Sequence, residues 1–229
     1  MTSYFERTVN VIITAAAVAT SATLVKREFF PRPAASRTAL GPPIRVGDWD
    51  ALLQHSVRSD LTAPVTILEF VDLECPGCRH YNRTVLSAVQ QEFHDQVEVA
   101  YIHLPLEGHR FARSAAHAAE CADIHGRFTA MLDVVFAKQD SIGLKSWLGY
   151  ANDAGVTDSV KFSECLAGPP PVRIDSGVAI AGRLKITATP TIVINGWQFA
   201  LPPSPEDLNR FIRSLLANES NPIESLSRR

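Results

Sequence analysis

Cys75 and Cys78 stand three positions apart in "LEFVDLECPGCRHYN" (68–82), directly after an apolar run. Such a pair can carry electrons, hold a metal ion or staple a loop. As a staple it would close only a tiny ring, and the benefit of a disulfide grows with the loop it closes. A structural zinc ion would need two more ligands, commonly a second CxxC or a spaced histidine pair. Cys121 and Cys165 form no second CxxC, and His80 has no obvious companion. Electron transfer accounts best for where the pair sits. A strand ends and a helix begins at Cys75, so helix-end N–H groups and the helix dipole favour its thiolate. Pro76 suits the first helical turn, where its missing N–H has no partner. Cys78, one turn further in, is expected to be more buried, with a higher pKa. Cys75 is then the attacking sulfur and Cys78 the resolving one, the asymmetry that dithiol exchange requires.

The flanking elements fit that assignment. "PVTILEFVDL" (64–73) reads as a buried strand, β-branched and aromatic with no breaker after Pro64. Beyond Cys75, the residues Tyr81, Val85, Leu86, Val89 and Phe93 recur at helical spacing, and "QVEVAYIHL" (96–104) reads as a second strand. Strand, helix, strand is a βαβ unit, whose strands are usually parallel. Only helical patterns run from about 108 to 183, with Gly126 and Gly168 as stops and Asp158 as a cap. "TIVING" (191–196) then meets an Asn-Gly turn, a strong hairpin signal, with "WQFAL" as the return strand. Ser204, Pro205 and Asp207 start a last helix, whose apolar face is Leu208, Phe211, Ile212, Leu215 and Leu216. Pro190 directly precedes the third strand, where proline must either start the strand or occupy a special bond. A cis Thr189–Pro190 bond would free the Thr189 backbone to pair with an extended peptide; a trans proline capping the strand is the other reading.

Composition sets broader bounds. The chain has 229 residues, 46% of them apolar, with a formal charge of −2 and pI near 6.4. A substantial core is expected, and the charge balance argues against a nucleic-acid partner. Thr8 to Val25 carries no charge and as a helix would reach roughly 27 Å. Three readings compete for it: a membrane anchor, a signal peptide cleaved near Ala17-Val18-Ala19, or a buried core helix. The expected organisation is a hydrophobic segment (1–30), an extended Pro-rich linker (31–48), a folded domain (49–217) with a helical insertion at about 108–183, and a frayed polar tail (218–229). Seven histidines are scattered without HxxxH or HExxH spacing, so no metal site is expected, and His109 and His117 read as surface or capping residues. Phe128, Phe136 and Trp147 read as core of the helical block. No Gly-rich phosphate loop or GxSxG is present.

The motifs "APVTILEFVDLECPGC", "HLPLEGHRFARSAAHAAECA", "SWLGYANDAGV", "FSECL" and "ITATPTIVING" together resemble a DsbA-like protein of the thioredoxin superfamily, over about Trp49 to Leu216. The resemblance implies an α/β thioredoxin fold with an inserted helical subdomain and thiol–disulfide exchange outside the cytoplasm, without a cofactor. It implies that Cys75 is the nucleophile, Cys78 the resolving cysteine and Pro190 the cis-proline facing them. Glu69 matches an acid that lies beneath the disulfide and aids proton transfer; its other reading is an edge-exposed carboxylate. Two features depart from the strongly oxidising members: Pro76-Gly77 stands where those have Pro-His, and Thr189 also precedes the proline in isomerase-type and reducing members. Cys121 and Cys165 would pair in an oxidising compartment, as comparable cysteines do in some members, adding ~4 kcal/mol by the chain-entropy argument; buried thiols are the alternative. The favoured function is oxidation of cysteine pairs in exported proteins by a membrane-anchored or periplasmic enzyme re-oxidised by a membrane partner. A reductase or isomerase, or a non-redox peptide-binding module, are the alternatives.

Overall fold

In the computed structural model, the described residues are 41–57, 61–219 and 221–227. Five strands form one mixed sheet in the order β1-β5-β4-β2-β3: β1 (Ile44–Arg45), β2 (Val65–Val71), β3 (Val97–His103), β4 (Thr191–Ile194) and β5 (Trp197–Gln198). β2 and β3 are parallel, while β4 is antiparallel to both β2 and β5. All seven residues of β2 are buried, because helices cover both sheet faces. That is why its sequence runs apolar without alternation. One face presents Val65, Ile67 and Val71, with Val99, Tyr101 and Ile192. The other presents Leu68 and Phe70, with Ala100, Ile102 and Val193. Glu69 falls on the first face by alternation, between Tyr101 and Ile192 on the neighbouring strands.

The helix that follows β2 is not uniform. It runs as α1 (Pro76–Tyr81), a π-helical turn (Asn82–Leu86) and α2 (Ser87–Phe93). Between β3 and β4 come α3 (Ala112–Asp123), α4 (Phe128–Ala137), α5 (Trp147–Asp153), α6 (Ser159–Ala167) and α7 (Val172–Arg183). Their ends follow the sequence signals. Asp158 accepts from the Lys161 N–H, and Gly126 turns left-handed (φ 64°) while the Arg127 N–H bonds back to the Ala122 carbonyl. Gly168 ends α6 in extended conformation instead. Cys121 on α3 is disulfide-bonded to Cys165 on α6 (Cα–Cα 5.8 Å). Phe128 and Phe136 are buried, whereas Trp147 is half-buried and packs on Tyr150 at 5.3 Å. A polar cluster joins these helices to the sheet: buried His103 on β3 lies 3.2 Å from buried Glu120 on α3, whose carboxylate also pairs with half-buried Arg173 on α7 (2.6 Å).

The Asn195-Gly196 turn has both residues at positive φ (43° and 82°), the geometry a two-residue hairpin demands. Asn195 also accepts from the Thr66 N–H (2.7 Å) and donates to the Pro64 carbonyl (3.0 Å), tying the turn to the start of β2. The last long helix, α8 (Pro205–Leu216), is capped by Ser204, which accepts from the Asp207 N–H. Two expectations need correction. Part of the expected linker, 31–48, is structured: Ile44–Arg45 pairs with β5, and Arg45 donates to the Asn195 carbonyl (2.8 Å). Two residues are too few to show a period. The expected frayed tail also docks: Pro222 and Ser225 are buried, and Glu224–Ser227 forms a short helix. The hydrophobic N-terminal segment, 1–30, lies outside the described residues, among which no helix is long and apolar enough to cross a membrane.

Gly177 shows how closely α7 approaches the sheet. A Cβ there would overlap the His103 carbonyl oxygen and come within 2.9 Å of Ile102 Cγ2. Because the obstacle is backbone, Gly177→Ala is expected to cost roughly 1–3 kcal/mol, read as a lower urea midpoint.

Candidate active site

The turn leaving β2 is built around Asp72. Its side chain is fully buried; the carboxylate accepts from the Glu74 N–H (2.8 Å) and the Leu106 N–H (2.9 Å) and meets His109 Nδ1 at 2.7 Å. Its backbone carbonyl accepts from the Cys75 N–H (3.1 Å). Cys75 is extended (φ −74°, ψ 120°) and starts α1, with Pro76 in the first turn. Buried Gln139, from the segment after α4, donates to the carbonyls of Leu73 (2.9 Å) and Cys75 (3.1 Å). The Leu73 carbonyl has no sheet or helix partner and Gln139 satisfies it, while the Cys75 carbonyl accepts from the Arg79 N–H (3.1 Å) as well as from Gln139. The helical block therefore helps to hold the cysteine turn.

The cysteines are free thiols in contrasting surroundings. Cys75 Sγ lies 3.4 Å from the Thr189 carbonyl oxygen, and the Thr189–Pro190 bond is cis. Gly77 faces the same loop, where an added Cβ would lie 3.3 Å from Pro190 Cδ. The Cys75 pKa falls to about 5. The hydrogen bond from Cys78 is the largest cause, helped by Thr189 and by the backbone N–H groups of Cys78 and Gly77 against the opposing desolvation. Cys78 is fully buried, and burial pushes its thiol well above the ordinary value, with Glu69 and Cys75 adding to the effect. One sulfur is a thiolate at neutral pH and the other a thiol.

Glu69 lies beneath Cys78 with no exposure, so the edge-exposed reading does not hold. Asn82, first residue of the π-helical turn, donates to Glu69 Oε2 (2.7 Å) and to the Cys78 carbonyl (3.1 Å). Tyr101 hydroxyl lies 3.3 Å from Asn82 Oδ1. Burial pushes the Glu69 pKa up to about 8, despite the lowering effect of its hydrogen bonds to Asn82 and Cys78. A carboxyl with that pKa exchanges protons near neutrality.

The histidines sit in more specific surroundings than their spacing predicts. His109, read as a surface or capping residue, is clamped to Asp72; His117 is buried with Nε2 3.2 Å from the Cys165 carbonyl oxygen. His80 is exposed. The ligand atoms of His117, Cys121 and Cys165 lie within 4.8 Å of one another, but both sulfurs are spent in the disulfide. Asp72, Asn82, Tyr101 and Gln139 were not singled out in the sequence. Asp72 carried one usable signal, an acid at the end of an apolar strand three residues before Cys75. Gln139 carried none.

A sequence profile described as thioredoxin matches residues 55–214. The chain belongs to the thioredoxin family. DsbA2 of Pseudomonas aeruginosa is 29% identical, with a TM-score of 0.54 over 69% of this chain and 91% of that one. BdbD of Bacillus subtilis is 21% identical, with a TM-score of 0.60 over 77% of this chain and 97% of that one, which shows the shared fold. Within the family the chain is DsbA-like. Curated relatives of another kind also match. The Na(+)/H(+) antiporter NhaA 3 of Salinispora tropica is 35% identical over 166 residues, 71% of this chain and 25% of that protein. NhaA 1 of Salinispora arenicola is 37% identical over 144 residues, 61% of this chain and 21% of that protein. The chain thus spans about a quarter of the length of the curated relatives it matches.

Two outcomes test the electrostatics of the site. Thiolate absorbance of the reduced protein should titrate at about pH 5, and Cys78→Ser, which weakens the strongest hydrogen bond to Cys75, should move that midpoint toward the ordinary thiol range. For Glu69 the sign runs against alkali. Its folded pKa, about 8, exceeds the unfolded 4.5, so between these values the native state keeps a proton that the unfolded state loses. The stability it contributes is therefore lost progressively from about pH 4.5 to about pH 8, by up to about 1.4 kcal/mol per pH unit. Glu69→Gln should flatten that decline in denaturant titrations of the reduced protein.

Proposed function

We propose that this protein is an oxidoreductase that donates its Cys75–Cys78 disulfide to cysteine pairs of exported proteins. The supporting observation is the contrast between Cys75, whose thiol pKa falls to about 5 beside Thr189, and the fully buried Cys78, whose thiol is pushed up. A substrate thiolate attacks Cys75 Sγ; the Cys75–Cys78 bond breaks, and Cys78 leaves with its electron pair and takes a proton, for which Glu69 is the nearest buried donor. A second substrate thiolate then attacks the substrate sulfur of the mixed disulfide, and Cys75 leaves as the stabilised thiolate. Two electrons have passed from substrate to the Cys75–Cys78 pair. A good leaving group drives the second step, and a low thiol pKa supplies one. The chain beside cis-Pro190 offers the Thr189 backbone to an extended substrate segment.

A membrane redox partner would complete the cycle by re-oxidising the pair. The domain would work outside the cytoplasm, held by, or released from, the N-terminal hydrophobic segment. The Cys121–Cys165 disulfide supports an oxidising location, since such bonds are rare in reducing compartments. Ion transport, named for the antiporter relatives, is not part of this reading.

The deciding measurement is the equilibrium potential of Cys75–Cys78 in glutathione buffers. The expected value lies nearer the roughly −120 mV of strong oxidants than the −270 mV or so of thioredoxin. A value at the reducing end would make the protein a reductase. Replacing both cysteines by alanine should abolish turnover of a reduced, unfolded substrate; retained peptide affinity without any wild-type turnover would point to a binding module.

A further inference from the structure

No cationic side chain stands between the two cysteines, where Pro76 and Gly77 lie, yet the turn that leads into them buries the Asp72 carboxylate three residues before Cys75. Left alone, the Asp72 charge would oppose a thiolate at Cys75. His109 answers it. The imidazole reaches Asp72 from the loop after β3, and that loop is itself fixed on the cysteine turn: Leu106 N–H donates to Asp72 and Phe111 N–H to Glu74 (2.6 Å). The same Asp72 residue takes the Cys75 N–H on its carbonyl, and its own N–H lies 3.5 Å from Cys78 Sγ. One residue thus contacts the histidine and both cysteines of the redox pair.

We propose that His109, held by Asp72, is a positioning residue of the redox centre: its positive charge offsets the buried carboxylate and favours the reduced, Cys75-thiolate form over the disulfide. This rests on the redox reading of the pair given above. The charged groups that His109 senses across the turn are Asp72, Cys75 and Glu74, and its neighbours in its own segment include Glu107 and Arg110. Burial works against the imidazolium, but the Asp72 hydrogen bond and the three negative groups outweigh it, so the ring keeps its proton to higher pH than usual. His109 is partly exposed, so it can be replaced without opening the core.

The test compares the full chain with His109→Gln, which keeps a polar group without the charge, and His109→Lys, which keeps the charge. Two readouts are used: the pH titration of the Cys75 thiolate in the reduced protein, and the equilibrium constant with glutathione. The expected result for His109→Gln is a higher thiolate midpoint and an equilibrium constant shifted about tenfold toward the disulfide, about 30 mV less oxidising. His109→Lys should restore most of both. The difference between wild type and the Gln variant should also vanish at alkaline pH, once the imidazole has lost its proton; a purely structural role would leave it constant. Unchanged midpoint and equilibrium constant in His109→Gln overturn the proposal, as does a Lys variant that behaves like Gln. If wild type itself fails to equilibrate with glutathione, the redox reading fails, while the thiolate titration still decides the role of His109.

Discussion

Two sulfurs one helical turn apart must be kept chemically unlike, and the rest of the fold answers to that constraint. Cys75 meets helix-end N–H groups and the Thr189 carbonyl; Cys78 is enclosed above Glu69. The difference arises from position. The first residue of a helix sees unsatisfied amides, whereas a residue one turn later faces the sheet. β2 must run straight beneath that point, and its complete burial under helices on both faces fixes it there. The low-dielectric surroundings that this burial creates also hold the Glu69 proton.

Polar groups reach this centre from three directions. Asn82 comes from the helix itself, Asp72 with His109 from the strand ends, and Gln139 from beyond α4. Each satisfies a buried donor or acceptor that would otherwise cost about 1–3 kcal/mol. The hydrogen-bonded set runs from β2 to the helical block, and it satisfies the Glu74 and Leu106 N–H groups and the Leu73 carbonyl, which neither helix nor sheet ladders reach. On the far side of the block, the His103–Glu120–Arg173 cluster and the Cys121–Cys165 disulfide tie the same helices together and to β3.

Much of this was legible in the sequence because it rests on local rules. β2, β3, the hairpin at Asn195-Gly196 and the caps at Asp158 and Ser204 each carry a periodicity or a turn residue with a physical cause. The cysteine motif, read with the strand before it, gave the order of the two thiols. What escaped were contacts between segments distant in the chain. Gln139 and His109 look like ordinary surface residues until the fold brings them to the turn, 64 residues from Cys75 in one case and 37 from Asp72 in the other. β1 escaped for a different reason: a two-residue edge strand leaves no pattern to count. The π-helical turn at Asn82–Leu86 was invisible too, since one extra residue per turn barely disturbs spacings of three and four.

Gln139 has a consequence for anyone wishing to miniaturise the protein. The helices between β3 and β4 look like a removable module hung on a smaller sheet. Excising them would take away the amide that holds the Leu73 and Cys75 carbonyls, and the Asp140 carboxylate that pairs with Arg79 (3.0 Å). Transplanting helices from a relative would succeed only if the graft restored a donor at that one place. Modularity in the chain order is therefore not modularity in the chemistry.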